Sequence, residues 1–147
     1  MTRLLSLERD RDIILAYHEV EQNAPQWFRD GSDVWQKDDL LEWCKRHHKI
    51  YEIENKALLY VEPTGEVHFS VKRGENGLDL IPALLEIRAE LFKEFDTLYG
   101  WMLKQNRGLK KICESVGFKY EGFRVFHGVV KNRVAEWHCH SMEKSSN

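Results

Sequence analysis

The sequence lacks the features that would assign it at once to a membrane or nucleic-acid-binding class. No stretch approaches the roughly 18 uninterrupted apolar residues that a membrane-spanning helix needs. Charge of one sign is not in excess either, because 22 basic and 24 acidic residues leave a formal net charge of −2. No whole-chain field therefore favours nucleic acid or an anionic membrane. These absences predict a protein with no membrane span and no nucleic-acid partner.

Cysteine is also scarce, and its number is odd. Cys44, Cys113 and Cys139 are widely spaced, which favours reduced thiols and a cytoplasmic location over a disulfide framework. A secretory leader is not indicated, because charged residues at 8–10 soon break the apolar run that follows Arg3. With 147 residues and 42% hydrophobic content, the chain fits one domain over residues 1–147 with its own core.

The most informative stretch runs from Thr97 to Gly122. A strand is predicted over Thr97–Leu103, and Asn106 follows it as a helix cap that accepts a backbone N–H bond. Gly117 stands where the helix should stop, because glycine enters the left-handed region without steric cost. Between them, apolar residues recur at helical spacing on one face: Leu109, Ile112, Cys113 and Val116. This stretch predicts a strand–helix–strand unit.

The rest of the chain predicts an α/β protein with an antiparallel meander. Ser6 or a neighbour would cap the first helix, and Pro82 falls in the first turn of the third, where a missing N–H does no harm. Trp27, Trp35 and Trp43 would seal the helical layer onto the sheet rather than form a recognition surface. The predicted strands are Arg3–Leu7, Ile50–Ile53, Ala57–Val61, Val67–Val71, Phe118–Val130 and Arg133–His140. The other predicted helices are Glu8–Gln22, Lys37–Arg46 and Leu78–Phe95.

The order of strand, Asn106, helix and Gly117-Phe118 resembles the C-terminal half of the GCN5-related N-acetyltransferase (GNAT) fold. The resemblance implies a single GNAT-like (acyl-CoA N-acyltransferase) α/β domain, with a mixed, mostly antiparallel sheet flanked by helices. Within that superfamily, the run Leu91–Leu98 is similar to small GNAT-like internal virion or head-assembly proteins of tailed phages. Relatives of that kind imply partners among virion or head-assembly proteins, and a location in host cytoplasm or virion.

The resemblance also implies a cofactor loop for acetyl-CoA between the fourth strand and the following helix. GNAT proteins use an Arg/Gln-x-x-Gly-x-Gly/Ala pattern there, because free N–H groups at a helix N-terminus attract phosphate. Here Gly77 matches the first glycine of the pattern. Gly74 stands where Arg or Gln is expected, and Asp79 stands where the second small residue is expected. Glu75 and Asp79 would oppose a diphosphate unless cations offset them, and Asp79 is interpreted as a helix cap. The implied cofactor-binding residues are Val71, Arg73, Gly74, Asn76, Gly77, Leu78, Asp79 and Asn106.

For catalysis, the resemblance implies a base on the fourth strand. Glu66 and His68 lie on the same face of a strand, and either would deprotonate an incoming amine, directly or through water. Cys113 occupies the place of the tyrosine with which many GNAT enzymes protonate the leaving thiolate, and is interpreted as a small buried hydrophobe.

The histidines raise the question of a metal site. The run His138-Cys139-His140 has metal-ligand residue types, with His127 and the group Cys44, His47 and His48 as candidate partners. No second tightly spaced pair is evident, so no metal is predicted.

Three functions remain open. The preferred hypothesis is a GNAT-fold protein with a degraded acyl-CoA loop that acts in virion assembly through protein contacts, because of Gly74 and Asp79. The alternative is an active acetyl-CoA-dependent N-acetyltransferase on an amine substrate. The third is a regulatory module that binds acyl-CoA without turnover.

Overall fold

The backbone forms two antiparallel sheets that meet at one edge. The computed structural model describes residues 1–22, 37–72, 74–104, 106–127 and 134–144, and the side chains of 18–22, 37–40, 126–127 and 134–135 are outside the description. The first sheet has the order β1-β2-β3-β4. Its strands are β1 (Thr2–Leu4), β2 (Lys49–Ile53), β3 (Ala57–Val61) and β4 (Val67–Val71).

The second sheet has the order β5-β7-β6. Its strands are β5 (Thr97–Leu103), β6 (Lys119–His127) and β7 (Val134–Glu143). Within the described ranges, one parallel bridge, between Glu66 and Tyr99, joins the two sheets at the start of β4 and β5. Gly65, in the turn before β4, has a φ of +92°, and a Cβ there would stand 2.4 Å from the Thr97 carbonyl oxygen. Only glycine lets the sheets approach so closely at this end.

Helices cover both faces of the first sheet. Helices α1 (Arg11–Gln22) and α2 (Lys37–Lys45) pack on one face. A 3-10 turn (Gly77–Leu80), α3 (Ile81–Leu91) and α4 (Arg107–Val116) cover the other. Strand β3 is buried over its whole length, with Leu58 and Tyr60 in the first core and Leu59 and Val61 in the second. Burial on both faces explains its continuous apolar run.

The predicted fold class is confirmed: the chain is an α/β domain of antiparallel sheets flanked by helices. The strand–helix–strand unit also forms as predicted. The Asn106 side chain accepts from the Leu109 N–H at 3.2 Å, and Gly117 ends α4 in the left-handed region with a φ of +107°. Pro82 lies in the first turn of α3, as expected.

Several predicted boundaries were wrong. The first strand is Thr2–Leu4 rather than Arg3–Leu7, and the first helix begins at Arg11 rather than Glu8. Ser6 is not its cap, because the helix starts five residues later; instead the Ser6 N–H donates to the Asp10 carboxylate at 2.9 Å and the Ser6 carbonyl accepts from the Asp10 N–H at 2.7 Å. This closed turn occupies the residues that were assigned to the first helical turn.

The long third helix was also predicted too long. Instead of running over Leu78–Phe95, it starts as the separate 3-10 turn and ends at Leu91. Beyond that point the Asp96 carbonyl accepts from the Lys144 N–H at 2.7 Å, so the chain is already held against β7. The last strand extends to Glu143 rather than His140, because Met142 and Glu143 pair with Leu98 and Thr97.

Parts of the prediction fall on positions outside the described residues. These include Trp27, Trp35, Arg73 and the turn between the last two strands, at 128–133. Trp43 is described and packs against the core as expected. Within the described ranges, no helix is both long and apolar enough to cross a membrane.

Candidate functional site

The candidate site begins where β4 and β5 part. The two strands share the Glu66–Tyr99 bridge, and the Tyr99 N–H donates to the Gly65 carbonyl at 3.2 Å. Past that bridge they belong to different sheets, so β4 pairs only with β3 and β5 only with β7 among the described residues. The edges of β4 and β5 that face each other therefore keep backbone groups available to a ligand.

The loop after β4 lies at the open end of this gap and carries partly free N–H groups. The Asn76 side chain accepts from the Leu78 N–H at 3.0 Å, and the Asn76 carbonyl accepts from the Asp79 N–H at 3.1 Å. The N–H groups of Asn76 and Gly77 donate to no atom of the described residues. Asn76 therefore caps the turn, and the interpretation of Asp79 as the cap was wrong.

Gly77 is buried against α4, which the sequence pattern did not indicate. A Cβ at this position would stand 2.5 Å from Ile112 Cδ1 and 3.3 Å from Val71 Cγ2. Both contacts are closer than normal van der Waals separation, so any larger residue would displace its neighbours. The absence of a side chain at Gly77 is thus explained by helix packing alone, before any ligand is considered.

The charges around the loop are mixed. Glu75 and Asp79 are exposed and make no ion pair with the described residues. Lys72 lies over the Tyr17 ring, with its Nζ 4.7 Å from the ring centroid, so this cation is already engaged by α1. Gly74 adopts a φ of +89° with open space around it. Among the described residues, the loop therefore combines two N–H groups that have no acceptor with two carboxylates that have no cationic partner.

A cluster of ionisable groups occupies the other, closed end of the gap. His68 Nε2 lies 2.9 Å from Glu62 Oε2 and 3.8 Å from Glu66 Oε2, and Glu62 and Glu66 share a hydrogen bond. The predicted pair Glu66 and His68 thus lies on one face of β4, as the alternation required. Its role as a base stays a prediction.

Burial and the neighbouring Glu62 carboxyl raise the pKa of Glu66 to about 8. The hydrogen bond from Glu66 lowers the pKa of Glu62, with a further contribution from His68. Two carboxyl groups this close cannot both ionise easily, so they share a proton near neutral pH. That proton resides on Glu66, because its pKa is raised whereas that of Glu62 is lowered.

Aromatic side chains and a second histidine line the cluster. Trp43 contacts His47, Tyr60 and His68, with ring-centroid distances of 4.1, 4.8 and 5.1 Å. Burial, followed by the neighbouring His68, lowers the pKa of His47. The ionisable groups of the cluster therefore pack against aromatic rings.

Glu62 and His47 were not predicted as part of this site. Glu62 follows β3 directly, and its N–H donates to the Glu66 carbonyl at 2.8 Å. The hairpin pairing of Val61 with Val67 would have placed Glu62 beside Glu66, and this was the available signal. No signal in the sequence connects His47, which follows α2, with β4.

The other candidate residues lie elsewhere. Burial raises the pKa of the Cys113 thiol to about 12, which agrees with its interpretation as a small hydrophobe. His138 pairs with Glu136 at 2.7 Å, while His140 is fully buried in the sheet. Among the described residues these histidines join no group of three metal-ligand side chains.

A cavity of about 50 Å³ lies between the sheet and α3. Its lining is apolar apart from Arg88, and includes Leu59, Val67, Leu84, Ile87 and Leu98. Pockets for small ligands typically hold several hundred Å³, so this cavity is a packing defect of the core and not a binding site.

Known structures share this fold. No family profile and no curated protein sequence matches the chain. A proposed phosphinothricin N-acetyltransferase is similar over 99% of both chains, with a TM-score of 0.77 and 20% identity. A proposed acetyltransferase from Salmonella typhimurium, solved with its cofactor acetyl-CoA, has a TM-score of 0.69 and 15% identity, over 100% of this chain and 95% of that one. A GNAT-family acetyltransferase from Bacillus anthracis has a TM-score of 0.69 and 12% identity, over 97% and 93%.

The third of these neighbours is named as a GNAT-family acetyltransferase, and the first two are proposed acetyltransferases. The chain therefore has the GNAT acyl-CoA N-acyltransferase fold, and the resemblance noted in the sequence is confirmed at the level of fold. At such low identities the likeness establishes the fold alone, and activity has to be argued from the site.

Proposed function

We propose that this protein is an acetyl-CoA-dependent N-acetyltransferase that acts on an amine, and that residues 1–147 form its single catalytic domain. The observation that carries the proposal is the gap between β4 and β5. At one end it has N–H groups that find no acceptor within the described part of the chain, and at the other the Glu66–His68 cluster. The solved neighbour that holds acetyl-CoA supports the choice of cofactor.

The cofactor would lie along β4, with its diphosphate at the loop. The N–H groups of Asn76 and Gly77 are available to an anion, and they precede α3, whose dipole favours negative charge. Arg73, Val71 and the exposed start of α4 after Asn106 would complete the site. Bound acetyl-CoA supplies an activated thioester, whose acetyl group would lie near the bridge.

The chain's own contribution to the chemistry would be proton removal. Glu66, in its ionised form, would take a proton from the incoming ammonium or amine, while His68 and Glu62 hold its carboxylate in position. The freed amine would attack the acetyl carbonyl, the amide bond would form as the carbon–sulfur bond breaks, and CoA would leave as the thiol, carrying the second proton lost from the nitrogen. Trp43 and the cluster it lines would exclude water from this step.

The virion-assembly hypothesis is the second candidate, and a specific observation favours it. Glu75 and Asp79 place two exposed carboxylates beside the proposed diphosphate position, which would weaken binding. In that case the exposed side chains of Tyr120, Phe123 and Val125 on β6 would contact head-assembly proteins. We propose a cytoplasmic location for the protein. If it is phage-encoded, that location would be the host cytoplasm or the virion.

The test combines acetyl-CoA titration with measurement of CoA release over a panel of amines. We expect binding, and turnover that falls at least about 100-fold in Glu66→Gln with acetyl-CoA affinity unchanged. Glu86→Gln, an exposed change on α3, is the matched control and should behave as wild type. Binding without turnover on any amine would favour a regulatory module, and no binding would favour the assembly role.

A further inference from the structure

We propose that His47, Glu62 and His68 form a binding site for a divalent transition-metal ion of the Zn²⁺ class. Each residue offers one ligand atom, and these three atoms all lie within 4.8 Å of one another. They come from three separate segments: the turn after α2, the residue after β3, and β4. The acetyl-transfer proposal uses Glu62 and His68 to position Glu66, but it assigns no step to His47.

His47 is held as a metal-binding histidine is held. Its Nδ1 lies 2.9 Å from the Trp43 carbonyl oxygen. Because a carbonyl only accepts hydrogen bonds, Nδ1 carries the proton and Nε2 presents a lone pair. Ligand histidines commonly donate their other ring N–H to a carbonyl in this way, which fixes the tautomer and the ring orientation.

The lone pair on His47 Nε2 accepts no hydrogen bond from the described residues. His47 Nε2 is buried and has no hydrogen-bond partner among the described residues. A buried polar atom without a partner costs free energy, so the arrangement is unexplained unless something occupies the cluster. A cation between His47, Glu62 and His68 would satisfy this atom.

The donor set selects the ion. Two imidazole nitrogens and one carboxylate oxygen suit zinc and its first-row neighbours, whereas calcium and magnesium prefer oxygen ligands. Tetrahedral zinc with bonds of about 2.1 Å separates its ligand atoms by about 3.4 Å. His68 Nε2 and Glu62 Oε2 are already 2.9 Å apart, so the required change is mainly the approach of His47.

Binding has two consequences for the cluster. The contact between His68 Nε2 and Glu62 would be replaced by bonds to the metal, because a ligating Nε2 must present its lone pair. The metal would also link the turn after α2 to the β3–β4 hairpin. If the proposed acetyl transfer is correct, metal and substrate amine compete for the same end of the gap.

The direct test is calorimetric titration of the purified protein with Zn²⁺, together with visible absorption of bound Co²⁺. We expect one site per chain, and at least about tenfold weaker binding in His47→Gln and in Glu62→Gln. His48→Gln is the matched control, because His48 is the next residue, is 45% exposed and faces Glu94. It should bind as wild type.

Two further readouts keep the result decisive. Glu62→Gln preserves side-chain shape, so it tests the site even if His47→Gln fails to fold. In addition, Zn²⁺ should raise the melting temperature of wild type but not of Glu62→Gln. Absence of binding, equal binding in both variants, or a Co²⁺–thiolate charge-transfer band from the free cysteines would overturn the site. None of these readouts uses acetyl-CoA. A negative result for the metal site therefore does not bear on the acetyltransferase proposal, which the acetyl-CoA and turnover measurements test separately.

Discussion

The most informative perturbation is the addition of one methyl group at Gly77. In Gly77→Ala the new Cβ would stand 2.5 Å from Ile112 Cδ1, so the loop and α4 must separate or Ile112 must change rotamer. Overpacking of this kind typically costs about 1–3 kcal/mol. The reduced entropy of the unfolded chain returns about 0.4–1 kcal/mol. We expect net destabilisation of about 1–2 kcal/mol, or a fall in melting temperature of roughly 2–8 °C.

The cause can be isolated with Ile112→Val, which deletes the Cδ1 atom in question. Alone, this change should cost about 0.5–1.5 kcal/mol, because Ile112 is buried and a small cavity is left. In the double variant the alanine methyl fills that space. The two losses should therefore not add, and the double variant should be at least about 1 kcal/mol more stable than their sum predicts.

Urea unfolding of wild type, both single variants and the double variant measures this coupling. Gly108→Ala is the matched control: it lies in α4 with nothing within 4 Å of its Cβ position, so it should stabilise by about 0.5–1 kcal/mol through helix propensity. Additive losses in the cycle would refute the packing explanation for Gly77. Close approach of a ligand would then be the alternative reason for glycine at this position.

Three further predictions concern stability, each measured by thermal or urea unfolding. Asn106→Ala removes the α4 cap and should cost about 1 kcal/mol; no loss would mean that the cap is redundant. Arg88→Met removes the donor to the Val116 carbonyl, at 2.6 Å, and should cost about 1–3 kcal/mol; a neutral result would show that water replaces it. Hydrogen bonds, first from Arg9 and then from the backbone, lower the pKa of Asp10. Its ionised form therefore stabilises the fold above pH about 4, the unfolded value, and this stabilisation is lost as pH falls through the lower folded pKa. Asp10→Asn should be less stable than wild type at pH 7, with the difference vanishing in acid; a difference independent of pH would contradict this.

Local signals in the sequence were sufficient for much of the fold. The α4 unit follows from Asn106, Gly117 and helical periodicity, all within a dozen residues, and it forms as predicted. Strands Ala57–Val61, Val67–Val71 and Thr97–Leu103 have the predicted bounds. Predicted boundaries were wrong where a side-chain hydrogen bond stabilised a different local structure. The closed turn of Ser6 with Asp10, for example, places the start of α1 after Asp10.

The candidate site was harder to predict from the sequence, because it depends on contacts between distant segments. Period two in β4 is a local property, so the shared face of Glu66 and His68 could be predicted. The approach of His47 to His68, with ring centroids 5.4 Å apart, depends on how α2 packs on the sheet. The burial of Gly77 against Ile112 depends likewise on the placement of α4, and no spacing in the sequence encodes it.

The proposed binding of the acetyl-CoA diphosphate by the loop after β4 can be measured by calorimetric titration of charge variants. Asp79→Asn and Glu75→Gln each remove one exposed carboxylate. At a separation of roughly 6–8 Å in water, each should tighten binding about threefold, and less at high salt. Glu143→Gln is the control, since Glu143 pairs with Thr97 at the opposite end of β5. We expect dissociation constants near micromolar (about −8 kcal/mol) that fall in the two loop variants alone. Absence of binding, or equal affinity in all four proteins, would contradict it.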